Sequence, residues 1–191
     1  MRISVLEHTD DPKAPVLKVV PWTGMDGSVW YSDQPIIGRI PPRMMFWHPD
    51  LDKIEDYPRS GSCPVLSDRM IQAVWGGVLG GCERIPVVIG DDPEPSRVRT
   101  DYAAIHILPV EAPEVVNLDD SEFHTFLPGS PIWSAIGRLR FHEHALPKSA
   151  AFRIAQFRSS IFIQGDAVDR VKSFAPTGVR LVPLNEYQVD W

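Results

Sequence analysis

One small pattern occurs twice in this sequence, and a chain that builds the same strand-helix-strand unit at two places must find one core that covers both. Residues 64 to 89, PVLSDRMIQAVWGGVLGGCERIPVVI, open with a short apolar run and turn at Ser67-Asp68 into helical spacing. They leave through glycine into a second apolar run. Residues 161 to 184, IFIQGDAVDRVKSFAPTGVRLVPL, repeat that order through Gly165-Asp166 and Gly178. Met70, Ile71, Val74, Trp75 and Val78 form one stripe at helical period, as do Ala167, Val168, Val171, Phe174 and Ala175. Ser67 or Asp68 is suited to accept a free N–H at the first helix start. The glycines behind each stripe mark stops, because a helix end often needs positive φ. Matching Asp68 to Asp166 brings Gly81, Ile85 and Pro86 onto Gly178, Val182 and Pro183 with one skipped residue. The likeness lies in pattern rather than identity.

Around these units the signals are shorter. YAAIHILPV, Tyr102 to Val110, is a continuous apolar run ending in proline and predicts a core strand. Val16 to Val20 and Val29 to Tyr31 predict short strands, with a turn at Gly24 to Gly27 between them. Met44, Met45, Phe46 and Trp47 fall in a segment expected to be a loop whose aromatics cover the core. Leu139, Phe141 and Glu143 alternate with Arg138, Arg140, His142 and His144, which predicts a strand with one wet face. The expected fold is α+β: a mixed or antiparallel sheet with both units packed on one core. One domain over residues 1–191 is expected, with a Pro/Trp-rich β region at 1–60 and an α+β region at 62–191.

Several classes of function fit poorly. A net charge of -6 and a pI near 5.5 argue against sequence-independent nucleic-acid binding, which needs a cationic surface. No apolar run approaches the ~20 residues of a membrane span, and Glu7, His8, Asp10 and Asp11 interrupt the N-terminal apolar stretches. The chain is expected to be cytoplasmic, with Cys63 and Cys82 as reduced thiols. Neither GxGxxG, GxxxxGK[ST], GxSxG nor HExxH occurs. His142 and His144 are two imidazoles without a third ligand at a recognisable spacing. No catalytic residue, metal or cofactor is expected.

A surface reading remains. Acidic segments at Asp50, Asp52, Glu55 and Asp56 and at Asp91, Asp92 and Glu94 interleave with Trp22, Trp30, Trp47 and Trp133. Rigid contact area beside negative charge suits a protein-binding face toward a basic partner. Trp47 and those seven acids are the candidate partner-binding residues.

Further marks lie in the C-terminal two thirds. Tyr102 opens a strand, Asp119, Asp120 and Ser121 form a polar link, and Phe152-Arg153 precedes the second unit. Ile161-Phe162-Ile163 leads into a helix closing at Thr177-Gly178-Val179, and CPVLSDRMIQAV enters the first helix. Over about residues 62 to 184 the chain resembles a family of bacterial immunity proteins of polymorphic and contact-delivered toxin systems. The resemblance implies a non-catalytic protein that binds and occludes a toxin made by the same cell, and carries over no individual contact residue. Two other readings stand beside it. A structural or regulatory module of a secretion system would expose a broad apolar patch. An enzyme would bring His142, Glu143 and His144 together with another residue in a deep pocket.

Overall fold

The computed structural model describes residues 2–20, 27–61 and 63–189. Trp22 and the expected turn from Gly24 through Asp26 lie outside the described residues. The first half contains β1 (Ile3–His8), β2 (Lys18–Val19), β3 (Met44–Trp47), β4 (Val65–Ser67), α1 (Asp68–Trp75), β5 (Cys82–Gly90) and β6 (Val98–Ile107). The second half contains β7 (Pro109–Val110), α2 (Ala112–Val115), β8 (Glu122–Thr125), β9 (Trp133–Arg138), β10 (Ala151–Ile154), β11 (Phe157–Gln164), α3 (Asp166–Phe174) and β12 (Val179–Pro183). The fold is α+β with mixed sheets, as the sequence pattern predicts.

Both expected units form, and both are split. One sheet has the order β2-β3-β5-β6-β4, so β6 inserts between the two strands of the first unit and pairs antiparallel with each. A second five-stranded sheet has the order β12-β1-β11-β10-β7, so β1 inserts between the strands of the second unit in the same way, and β8 and β9 form a separate two-stranded sheet. Ala104 is flanked by Val65 and Ile85, and Val5 by Phe162 and Val182. The inserted strand follows the first unit directly, whereas the second unit takes its inserted strand from the opposite end of the chain. The two halves therefore share a pattern in cyclically shifted order.

The helices lie against one another and run antiparallel. The Arg69 guanidinium sits 4.8 Å from the centre of the Phe174 ring. Arg170 donates from Nε to the Ala73 carbonyl at 2.9 Å and from Nη2 to the Val74 carbonyl at 2.7 Å. These bonds satisfy carbonyls that the end of α1 leaves without helical partners. The buried stripes, Met70, Ile71, Val74 and Trp75 from α1 with Val168 and Val171 from α3, join Leu66, Ile105, Leu6 and Ile161 in one shared core. The opposite strand faces enter separate cores: Phe46, Ile89 and Tyr102 with Trp30, and Val5, Phe152 and Phe162 with Trp133. The central strands of each five-stranded sheet are covered on both faces, which is why Tyr102 to Ile107 is apolar on both sides except at the buried His106.

Several expectations are corrected. Val78 does not extend the first stripe: α1 stops at Gly76, which adopts φ 62, and Val78 is 77% exposed. Gly178 is not the stop of α3, because Ala175 caps that helix at φ 48. Val29 to Tyr31 belong to a 3-10 turn spanning Gly27–Tyr31, since three apolar residues fit one tight turn as well as a strand. Met44 to Trp47 form β3 instead of a loop; Met44 and Phe46 point inward and Met45 outward, an alternation hidden because all four side chains are apolar. Residues 143 to 145 form a 3-10 turn, so His142 and His144 do not share a strand face. The N-terminal third contributes β1 to one five-stranded sheet and β2 and β3 to the other.

Candidate functional site

The parallel strands β3 and β5 end together, with Trp47 opposite Gly90, and the His48 N–H donates to the Gly90 carbonyl at 2.9 Å. Both chains then leave the same end of the sheet. This register brings the two acidic segments side by side although they are some forty residues apart in sequence. Arg97 reaches Asp52 at 3.5 Å, and Arg99 donates to the Leu51 carbonyl at 3.4 Å, joining the loops.

Asp50 in the first loop, and Asp91 and Asp92 in the second, hold the shape of their own loops. Asp50 caps the 3-10 turn Leu51–Lys53 by accepting from the Asp52 N–H at 3.2 Å, and pairs with Lys53 at 2.8 Å. The hydrogen bond from Lys53 holds its carboxyl below the ordinary range. Asp91 accepts from the Ser96 N–H at 3.0 Å, the Ser96 hydroxyl at 2.8 Å and the Arg97 N–H at 3.2 Å. Those donors, the Arg97 backbone first, hold its carboxyl low as well. Asp92 accepts from the Glu94 N–H at 3.1 Å, and both side chains remain exposed. Trp47 is half-buried, with the Lys18 ammonium 4.3 Å from its ring centre.

Trp47, Asp50, Asp52, Asp91, Asp92 and Glu94 thus share one end of the sheet, while Glu55 and Asp56 do not. Glu55 packs beside Gly178, where burial first and then the charge of Asp11 raise its carboxyl pKa. Asp56 is only 4% exposed, so it does not belong to a contact surface. Its oxygens accept from the Ser67 hydroxyl at 2.6 Å, Arg69 at 2.9 and 3.2 Å, and the Thr177 N–H and hydroxyl at 3.0 and 3.2 Å. Burial opposes its charge, yet these donors outweigh burial and keep the carboxyl below the ordinary range. Asp56 links the start of α1 to the approach of β12 and is a structural residue. Trp30 and Trp133 are 2% and 6% exposed, which removes them from the aromatic surface read from the sequence.

The other chemistry is sparse. Among the described residues no group of three or more His, Cys, Asp or Glu side chains is arranged to hold a metal ion. Cys63 and Cys82 are free, and burial pushes their thiols up to about 12 and about 11. Iodoacetamide at pH 8 is therefore expected to leave Cys63 unmodified in the folded protein and to label it once urea unfolds the chain, as read by peptide mass spectrometry. Rapid labelling of native Cys63 would contradict that. Exposed Phe126, Leu127 and Ile132 are confined to the turn between β8 and β9, where the Phe126 N–H donates to the Ile132 carbonyl at 3.1 Å. No helix among the described residues is long and apolar enough to cross a membrane.

No protein-family model matches the chain, and no curated protein sequence matches it.

Proposed function

We propose that this protein is a non-catalytic immunity protein that binds a cognate bacterial toxin and occludes it sterically. The observation that carries the reading is the convergence of the two acidic segments at the common end of β3 and β5, with Asp52, Asp92 and Glu94 open to solvent beside the half-buried Trp47. A surface of this kind attracts a basic protein and speeds encounter, and the aromatic ring slows release once water is excluded. The scaffold suits a rigid binder, because the central strands of both five-stranded sheets are covered on both faces and the two helices are locked at their ends. The resemblance of residues 62 to 184 to immunity proteins, read from the sequence, favours the same reading.

Co-expression with the product of the adjacent open reading frame tests this function. The expected result is a stoichiometric complex surviving gel filtration and loss of the toxin's activity in the complex. A partner that stays fully active when saturated with this protein would refute the proposal.

A further inference from the structure

A cavity of about 540 Å³ lies away from the acidic end, between β1, the residues Tyr57, Arg59, Gly61, Cys63 and Pro64, and the start of β11. Arg153 lines it from β10. That side chain is 5% exposed; its Nη1 donates to the Trp30 carbonyl at 3.3 Å, and its Nε is buried without an acceptor. The groups whose charge bears on it are Tyr57, Tyr31 and Cys63, none of them a carboxylate, and burial pushes the Tyr57 phenol and the Cys63 thiol up to about 12, so neither offsets its charge at neutral pH. A guanidinium stays protonated at physiological pH, and burying one unpaired is strongly unfavourable unless another group completes it. Arg59, half-buried on the same wall, donates to the Thr9 carbonyl at 2.9 Å, and its charge reaches the Glu55 carboxylate, which does not line the cavity. The acids of the lining are committed elsewhere: Arg180 holds Glu7 at 2.5 Å and Asp10 at 2.6 Å. Opposite these cations the His8 ring stacks on Tyr57 with centres 3.9 Å apart, and burial pushes its imidazole pKa down, so it adds no charge at neutral pH.

We propose that this cavity binds a small organic anion whose carboxylate or phosphate oxygens take the free donors of Arg153 and Arg59. A guanidinium fork matches two oxygens of either group. The volume suits a small molecule, since such sites span roughly 300–1,000 Å³, and Leu6, Phe157 and the stacked rings offer apolar contact to its body. None of the residues at the acidic end lines the cavity, so anion binding and toxin binding are separable properties.

Thermal melts of the full chain at constant ionic strength, with inorganic phosphate, benzoate or succinate added, test the proposal. At least one probe is expected to raise Tm, by roughly 3–5 °C at tenfold excess over Kd and then logarithmically with concentration. Arg59→Gln is expected to weaken that response about tenfold. Arg153→Met is expected to abolish it while raising the Tm of the unliganded protein, because it removes an unpaired buried charge. A purely structural Arg153 would instead lower Tm on substitution. The proposal is overturned if none of the three probes shifts Tm, or if both variants respond as the parent does.

Discussion

Replacing Asp56 with alanine is expected to destabilise the fold by about 3 kcal/mol. The change leaves the buried Ser67 hydroxyl without its acceptor in a place water reaches poorly, and removes the acceptor of the more exposed Thr177 N–H. Arg69 contributes little to the loss, since its side chain is 66% exposed and regains water. The effect carries a pH signature. The native Asp56 carboxyl lies below the ordinary range, so the unfolded chain takes up this proton first as the pH falls. The stabilisation is fully present above the unfolded value of about 4 and disappears as the pH drops through the native value. Urea melts from pH 7 down to pH 2 should therefore show parent and variant far apart at neutral pH and converging in acid. A constant gap across that range would rule out the ionised carboxylate as the cause.

Gly178→Ala is expected to cost a similar amount, about 3 kcal/mol, through two separable effects. The residue has φ 74, and an added Cβ would meet the Glu55 Cβ at 2.8 Å and the Tyr57 carbonyl oxygen at 2.9 Å. The Glu55 carboxylate can swing aside, but a backbone oxygen and a Cβ cannot. Gly76→Ala is the control, because Gly76 has φ 62 but open space around it. It should cost only the left-handed strain, about 1–2 kcal/mol. For a chain of this size the pair predicts a fall in Tm of about 6–12 °C for Gly178→Ala and clearly less for Gly76→Ala. Equal losses would show that close approach at Gly178 is unimportant.

Both sites lie where residues 55 to 57 touch residues 177 and 178, and nothing in the local sequence marks that contact. Asp56 stands in an acidic run and reads as one more solvated carboxylate; its burial depends on Ser67 and Thr177, the second of them 121 positions away. The helices and their flanking strands were legible because caps and apolar stripes are local signals with a fixed period. The inserted strands were not. β1 mixes Ser4, Glu7 and His8 with apolar residues, and its place between β11 and β12 is decided by pairing across the whole chain. The acidic segments were legible as composition, but their adjacency follows from the shared register of β3 and β5. Arg153 left one trace, a lone cation inside the apolar strand AFRI, which invites the question of what neutralises it.

The most direct test of the binding account is the association rate with the adjacent gene's product, measured by stopped flow from about 25 to 500 mM salt for the parent and for a variant carrying D92K and E94K. If the acidic end meets a basic toxin, the parent rate should fall about tenfold or more across that range, and the variant should start low and respond weakly. A tight complex whose formation ignores both salt and charge reversal would place the contact elsewhere on the molecule, and a partner that never associates would contradict the account outright.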